Sequence, residues 1–169
     1  MFVSFFPNPR PFFWSGAAWS LFAVLLWFFG AKDWGGNVGL AGPAEGAPTS
    51  IGPSTFISVP FLWFYVYFAI LTLIFASFWR YKSPHPWFFW SVLGSALIIF
   101  VTYFQVQVSV EINRWQGPFF DLLQKALASP NAVQVSEIYA GMGTFAGIAF
   151  TAIAVAVANR FFVNHFIFR

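Results

Sequence analysis

Between Trp87 and Val110 the chain runs for 24 residues without a single charge, and this stretch restricts the fold more than any other. At about 1.5 Å of rise per residue, a helix of that length exceeds the ~30 Å hydrocarbon layer of a bilayer, so a membrane span is predicted. A polar and aromatic cluster follows at once: Glu111, Asn113, Arg114, Trp115 and Gln116. Beyond it Phe119, Leu122, Leu123, Ala126 and Leu127 recur at helical spacing. Pro118 suits a first helical turn, Asp121 and Lys125 lie four apart on one face, and Pro130 ends the run. The pattern predicts a span over about 87–110, a turn at a polar elbow, and a short amphipathic helix within 111–130 lying near the membrane surface.

Composition removes the soluble alternatives. Of 169 residues, 59% are hydrophobic and 24% aromatic but only 8% charged, too little polarity to enclose the chain in water. Membrane lipid is therefore the expected solvent and partner. The same shortage of charge argues against a nucleic-acid face, and the absence of cysteine against a disulfide framework or a thiolate metal site. His85 and His165 each stand without a second ligand at metal spacing, so no metal is expected. Neither a GxxxxGK phosphate loop nor a nucleophile, base and orienter set can be read, which predicts no nucleotide site, no cofactor and no enzyme.

Three further apolar stretches complete the pattern. The first spans about 12–30, after a lead-in broken by Pro7, Pro9 and Arg10. A cleaved signal peptide is the competing reading there. Its bulky aromatics and the lack of a small-x-small site near Phe28, Phe29, Gly30 and Ala31 favour a retained span. Residues 31–59, punctuated by glycines and prolines such as Gly35, Gly42, Pro43, Gly46, Pro48, Gly52 and Pro53, predict a solvent-exposed loop. The second span covers about 60–79 and ends in the tight basic turn Arg80 to Pro86. The fourth covers about 137–158, with Ser136 as its expected N-cap and Glu137 in the first turn. Within it Gly143 and Gly147 form a GxxxG step that Thr151 extends, a surface on which a partner helix could pack closely.

Four spans put the Arg80 turn and both termini on one side. That side carries Arg10, Arg80, Lys82, Arg160 and Arg169; the other carries Lys32, Arg114 and Lys125 with the five acids Asp33, Glu45, Glu111, Asp121 and Glu137. The basic excess places the termini in the cytoplasm and loop 31–59 in the periplasm.

Chemistry in such a chain is sought among polar groups at membrane depth. Thr102, Gln105 and Ser109 share one helix face, and the stripe continues toward Asn113 and Glu111. It would serve either as the wall of a water-filled cavity or as a polar seam between packed helices. Glu111, Trp115 and Asp121 complete the candidate substrate or proton pathway. Both acids are expected at the interface, solvated at little cost, with Asp121 pairing with Lys125.

These words together resemble a known family. The opening MFVSFFPNPRPFF, the SPHPW turn, the run LGSALIIFVTYFQVQVSV, the NRWQGPFFDLLQKALASP elbow and the closing NRFFVNHFIFR resemble the N-terminal part of the SbmA/BacA family of bacterial inner-membrane peptide transporters, and GAKDWGGNVGL resembles its rhizobial branch. The resemblance implies a homodimer with partial ABC-exporter-like transmembrane architecture, no nucleotide-binding domain, and uptake of peptides, antimicrobial ones included, driven by the proton gradient. It also implies a longer chain, which makes this sequence the expected N-terminal fragment of a transporter, inactive alone. Two alternatives accompany it: a fragment of an ABC exporter's membrane domain, and a small non-transporting membrane protein acting by helix association through Gly143 and Gly147. The fold class in every case is all-α, polytopic and transmembrane.

Overall fold

The computed structural model describes residues 5–40, 50–129 and 131–167. Glu45, the Gly42 to Pro48 run, Pro130 and Arg169 lie outside them. Among the described residues there is no strand, and four helices are long and apolar enough to cross a membrane. They are α1 (Pro9–Phe29), α2 (Val59–Lys82), α3 (Ser95–Ala128) and α4 (Val135–Ile167). The protein buries between 6% and 17% of the most apolar window of each, so most of their hydrophobic side chains need another solvent, as the composition predicts.

Local chemistry explains the boundaries. Pro9 occupies the first turn of α1, where a missing N–H costs nothing, and Gly30 closes that helix by donating its N–H to the Leu26 carbonyl. α2 has Pro60 in its first turn and stops at Ser83, whose successor Pro84 disfavours further helix. α4 begins one residue before the expected cap. Glu137 Oε1 accepts the Gln134 N–H at 3.3 Å, so the cap comes from the first-turn acid, while the Ser136 hydroxyl donates to Gln134 Oε1 at 3.3 Å.

The helices form two compact units. The first contains residues up to 47 together with 58–97. In it α1 and α2 run antiparallel, joined by a ladder of indole and hydroxyl bonds: Trp79 Nε1 to Ser15 Oγ at 3.1 Å, Trp19 Nε1 to the Leu71 carbonyl at 3.2 Å, Tyr67 Oη to the Ala23 carbonyl at 2.6 Å, and Trp63 Nε1 to the Ala31 carbonyl at 2.8 Å. Its core is Phe12, Ala76, Trp79, Phe88 and Val92. A six-residue π-helix, Phe89–Gly94, leads into α3.

The second unit contains residues 48–57 and 98–169. Here the structure corrects the expected elbow. The chain does not turn after Val110: α3 continues through Pro118 to Ala128, and 111–128 is its last part, not a separate helix. Pro118 removes one hydrogen bond to the Arg114 carbonyl. The rings on either side brace the gap, because Trp115 and Phe119 stack with centroids 4.6 Å apart and Trp115 Nε1 donates to the Gly141 carbonyl of α4 at 2.8 Å.

The described parts of the interval, 31–40 and 50–59, are likewise not a simple solvent-exposed loop. They form 3-10 turns over Ala31–Val38 and Pro53–Ile57, and Ala31, Gly35, Gly52, Thr55 and Phe56 are buried. Apolar side chains explain this: Phe56 packs on Phe104 of α3 at 4.9 Å between centroids, and the Gly35 backbone lies against the Trp63 indole.

Candidate functional site

The second unit draws the segment Ser50–Ile57, the middle of α3 and the start of α4 around a buried carboxylate. Glu111 is 2% exposed. This overturns its expected place at a wetted interface, and the cause is local: the chain returning from α1 covers it. Glu111 Oε1 accepts the Gly52 N–H at 2.8 Å and lies 2.8 Å from Thr55 Oγ1. Thr55 Oγ1 is also 2.7 Å from the Ser50 carbonyl, and its one proton serves one acceptor at a time. The Gly52 amide is therefore the steadier donor. Its backbone has φ 144°, a region that favours glycine, so the residue that presents the N–H is the one able to take that shape.

Arg114, one turn on, brings Nη1 to 3.8 Å from Glu111 Oε2 with 53% of its side chain exposed. That distance and exposure make it a weak, screened partner. The carboxylate acts as an anchor for the incoming segment.

Beside the anchor lies a shallow cleft of about 210 Å³ lined by Ile51, Trp115, Pro118, Phe119, Leu122, Gly141 and Thr144. Phe145 adds a second ring against Trp115, at 4.6 Å between centroids. The cleft is largely aromatic and apolar, with the Thr144 hydroxyl engaged by the Ala140 carbonyl at 3.0 Å.

The sequence candidates divide accordingly. Glu111 and Trp115 belong to this site. Thr102 and Ser109 return their hydroxyls to their own helix, to the Ile98 carbonyl at 2.8 Å and the Gln105 carbonyl at 3.2 Å, the default for such groups in lipid. Gln105 is half-buried and Asn113 exposed. Asp121 is exposed and, among the described residues, makes no ion pair with Lys125. Thr102 and Asp121 are separated by about 28 Å along the helix, so the set cannot close on one small ligand.

The packing candidates also divide. At Gly143 an added methyl would meet nothing within 4 Å, whereas at Gly147 it would lie 3.0 Å from Pro53 Cγ, and Thr151 bonds back to the Gly147 carbonyl at 3.0 Å. The tightest approach is at Gly141, where a methyl would fall 2.5 Å from Phe119 Cδ2. Sequence reasoning missed Gly141, Gly52 and Thr55. The signal for Gly141 was available in Phe145, one turn beyond it, since a bulky residue facing an aromatic stack calls for a small one in the preceding turn. It also missed Asn159 of α4, whose Oδ1 is buried with no hydrogen-bond donor. Among the described residues no group of His, Asp and Glu is placed to hold a metal ion.

Comparison with known families gives the arrangement its context. The model of the SbmA/BacA-like family matches residues 84–169, just over half the chain and the part that builds α3, the buried carboxylate and α4. Members are transporters rather than enzymes. Four helices of membrane length in sequence, with that match across the second pair, make this chain a multi-pass membrane protein that belongs to the SbmA/BacA-like family.

Proposed function

We propose that this chain forms part of the transmembrane domain of an importer that carries peptides across the bacterial inner membrane, driven by the proton gradient. The observation that carries this reading is the family match over 84–169, because it falls on the segment holding both the buried anchor and the aromatic cleft. In this reading the cleft beside Trp115 receives an apolar side chain of the peptide. Glu111 positions the segment that forms its rim. Exposed Asp121 meets positive charge on the substrate, and Thr102, Gln105, Ser109 and Asn113 line the path. A homodimer fits the same reading: Gly143 leaves α4 open to close approach, and a second copy would supply the donor that Asn159 Oδ1 lacks. The excess of basic residues in the Arg80 turn and near the termini supports cytoplasmic termini in the same reading.

The test is uptake. In a bacterium deleted for its own peptide importer, this chain produced alone should leave the cell resistant to an internalised peptide antibiotic, whereas a full-length family importer whose corresponding segment is replaced by this chain should restore sensitivity, and a protonophore should abolish its uptake of a fluorescent peptide. A replaced importer that is present in the membrane and restores no sensitivity would reject the reading.

A further inference from the structure

The end of the first unit where α1 stops takes no part in the cleft or its anchor. α1 has 21 residues, about 31 Å, and the charges of Arg10 and Lys32 bracket it, so its last residues stand at one edge of the hydrocarbon layer. The chain does not rise away from the membrane there. The Asp33 N–H donates to the Gly30 carbonyl at 3.0 Å and opens the 3-10 turn Ala31–Val38.

Two contacts with α2 hold that turn down. The Ala31 carbonyl accepts Trp63 Nε1 at 2.8 Å, and Gly35 lies so close to the same indole that an added methyl would fall 3.0 Å from Trp63 Cγ. The Leu40 N–H donates to the Gly35 carbonyl at 2.8 Å and folds the segment back on itself. Trp34 is thus flanked by residues pinned at the level where α1 ends. Its own ring turns back toward the helix, since a methyl added at Gly30 would lie 3.7 Å from Trp34 Nε1.

The surroundings of this indole are mixed. Phe28 and Phe29, the last residues of α1, are 73% and 85% exposed and have lipid as their solvent. Lys32 and Asp33 are exposed beside it and keep the turn out of the acyl layer itself. Trp19, Trp63, Trp79 and Trp115 donate their indole N–H to oxygens of the protein; Trp34, 49% exposed, has no such acceptor among the described residues. A ring with an apolar body at the level of Phe29 and an unspent N–H suits the boundary between acyl chains and water, where ester carbonyls can accept that proton.

We propose that the turn Ala31–Val38 lies in the lipid headgroup layer of the leaflet where α1 ends, with the Trp34 indole among the ester carbonyls, and that this contact fixes the depth of α1. The hydrogen-bond ladder ties α1 to α2 but ties neither to the bilayer. An indole seated at the interface supplies that tie.

The full chain, reconstituted in dioleoyl phosphatidylcholine vesicles, tests this. It has no cysteine, so one introduced cysteine carries one nitroxide. Power-saturation electron paramagnetic resonance compares collisions with oxygen, which concentrates among the acyl chains, and with a water-soluble nickel chelate. A label on Val38→Cys should fall between a label on Phe22→Cys, in the middle of α1, and a free nitroxide in water. Nickel collisions as frequent as those of the free nitroxide would mean that the turn stands clear in water. Few collisions with either reagent would put protein over it, such as a second copy. Either result overturns the proposal. Anchoring is read from a label on Phe29→Cys: adding Trp34→Ser should raise its nickel collisions severalfold, whereas Trp34→Tyr, which keeps a ring with a polar tip, should leave them near the original value. Trp34 makes no hydrogen bond to the ladder, so both variants keep it. A Phe29 label that does not respond to Trp34→Ser would also overturn the proposal, because the indole would then fix nothing.

Discussion

Glu111 does its work through a single good hydrogen bond. Its carboxylate is buried, its salt-bridge partner is distant, and the Gly52 amide is the donor it holds without competition. Glu111→Ala should leave that amide unpaired and cost about 1–3 kcal/mol. Hydrogen exchange would show it as faster labelling across 50–57, with Glu111→Gln milder because its amide oxygen still accepts. The glycines of α4 give a second contrast. Gly141→Ala should destabilise by about 1–3 kcal/mol through overpacking against Phe119, whereas Gly143→Ala should be neutral or stabilise by up to about 1 kcal/mol. Thermal unfolding in detergent would separate them. At this scale the sequence was only partly legible. Glu111 and Trp115 stand out as polar and aromatic residues beside a span, but the partners of Glu111 lie 56 and 59 positions away in the chain, beyond the reach of any local pattern. The GxxxG step was visible as a motif, yet a motif does not say which glycine faces a ring.

Among the elements, α1 and α2 start and stop within three residues of their apolar stretches, since length and lack of charge are properties of the stretch itself, whereas α4 runs nine residues past the expected end at 158, to Ile167. α3 departs from expectation for a physical reason. A proline followed by apolar residues at helical spacing is as compatible with a helix interior as with a helix start when neighbouring side chains bridge the missing bond. Here the stacked Trp115 and Phe119 do so, backed by the indole bond to Gly141. Pro118→Ala should therefore stabilise α3 by up to about 3 kcal/mol, read as a higher unfolding temperature and slower exchange of the Arg114 to Leu122 amides. The segment that follows α1 was misread because glycines and prolines mask the apolar positions Ala31 and Phe56 that tie it down.

For the whole molecule, the decisive prediction concerns sides of the membrane. The chain has no cysteine, so single cysteines report without background. In intact cells a membrane-impermeant maleimide should label Ser54→Cys, and Ser83→Cys only after permeabilisation. Equal labelling of both would be incompatible with α2 crossing the bilayer. The number of crossings was legible in the sequence because hydrocarbon thickness sets a length that few other folds demand.

The unbroken helical run from Phe89 to Ala128 is 40 residues, about 60 Å, roughly twice what lipid requires. The first 22 residues, to Val110, already match the thickness of the hydrocarbon layer, so the remaining stretch of about 27 Å can carry Arg114, Asp121 and Lys125 clear of the acyl chains without the helix having to end.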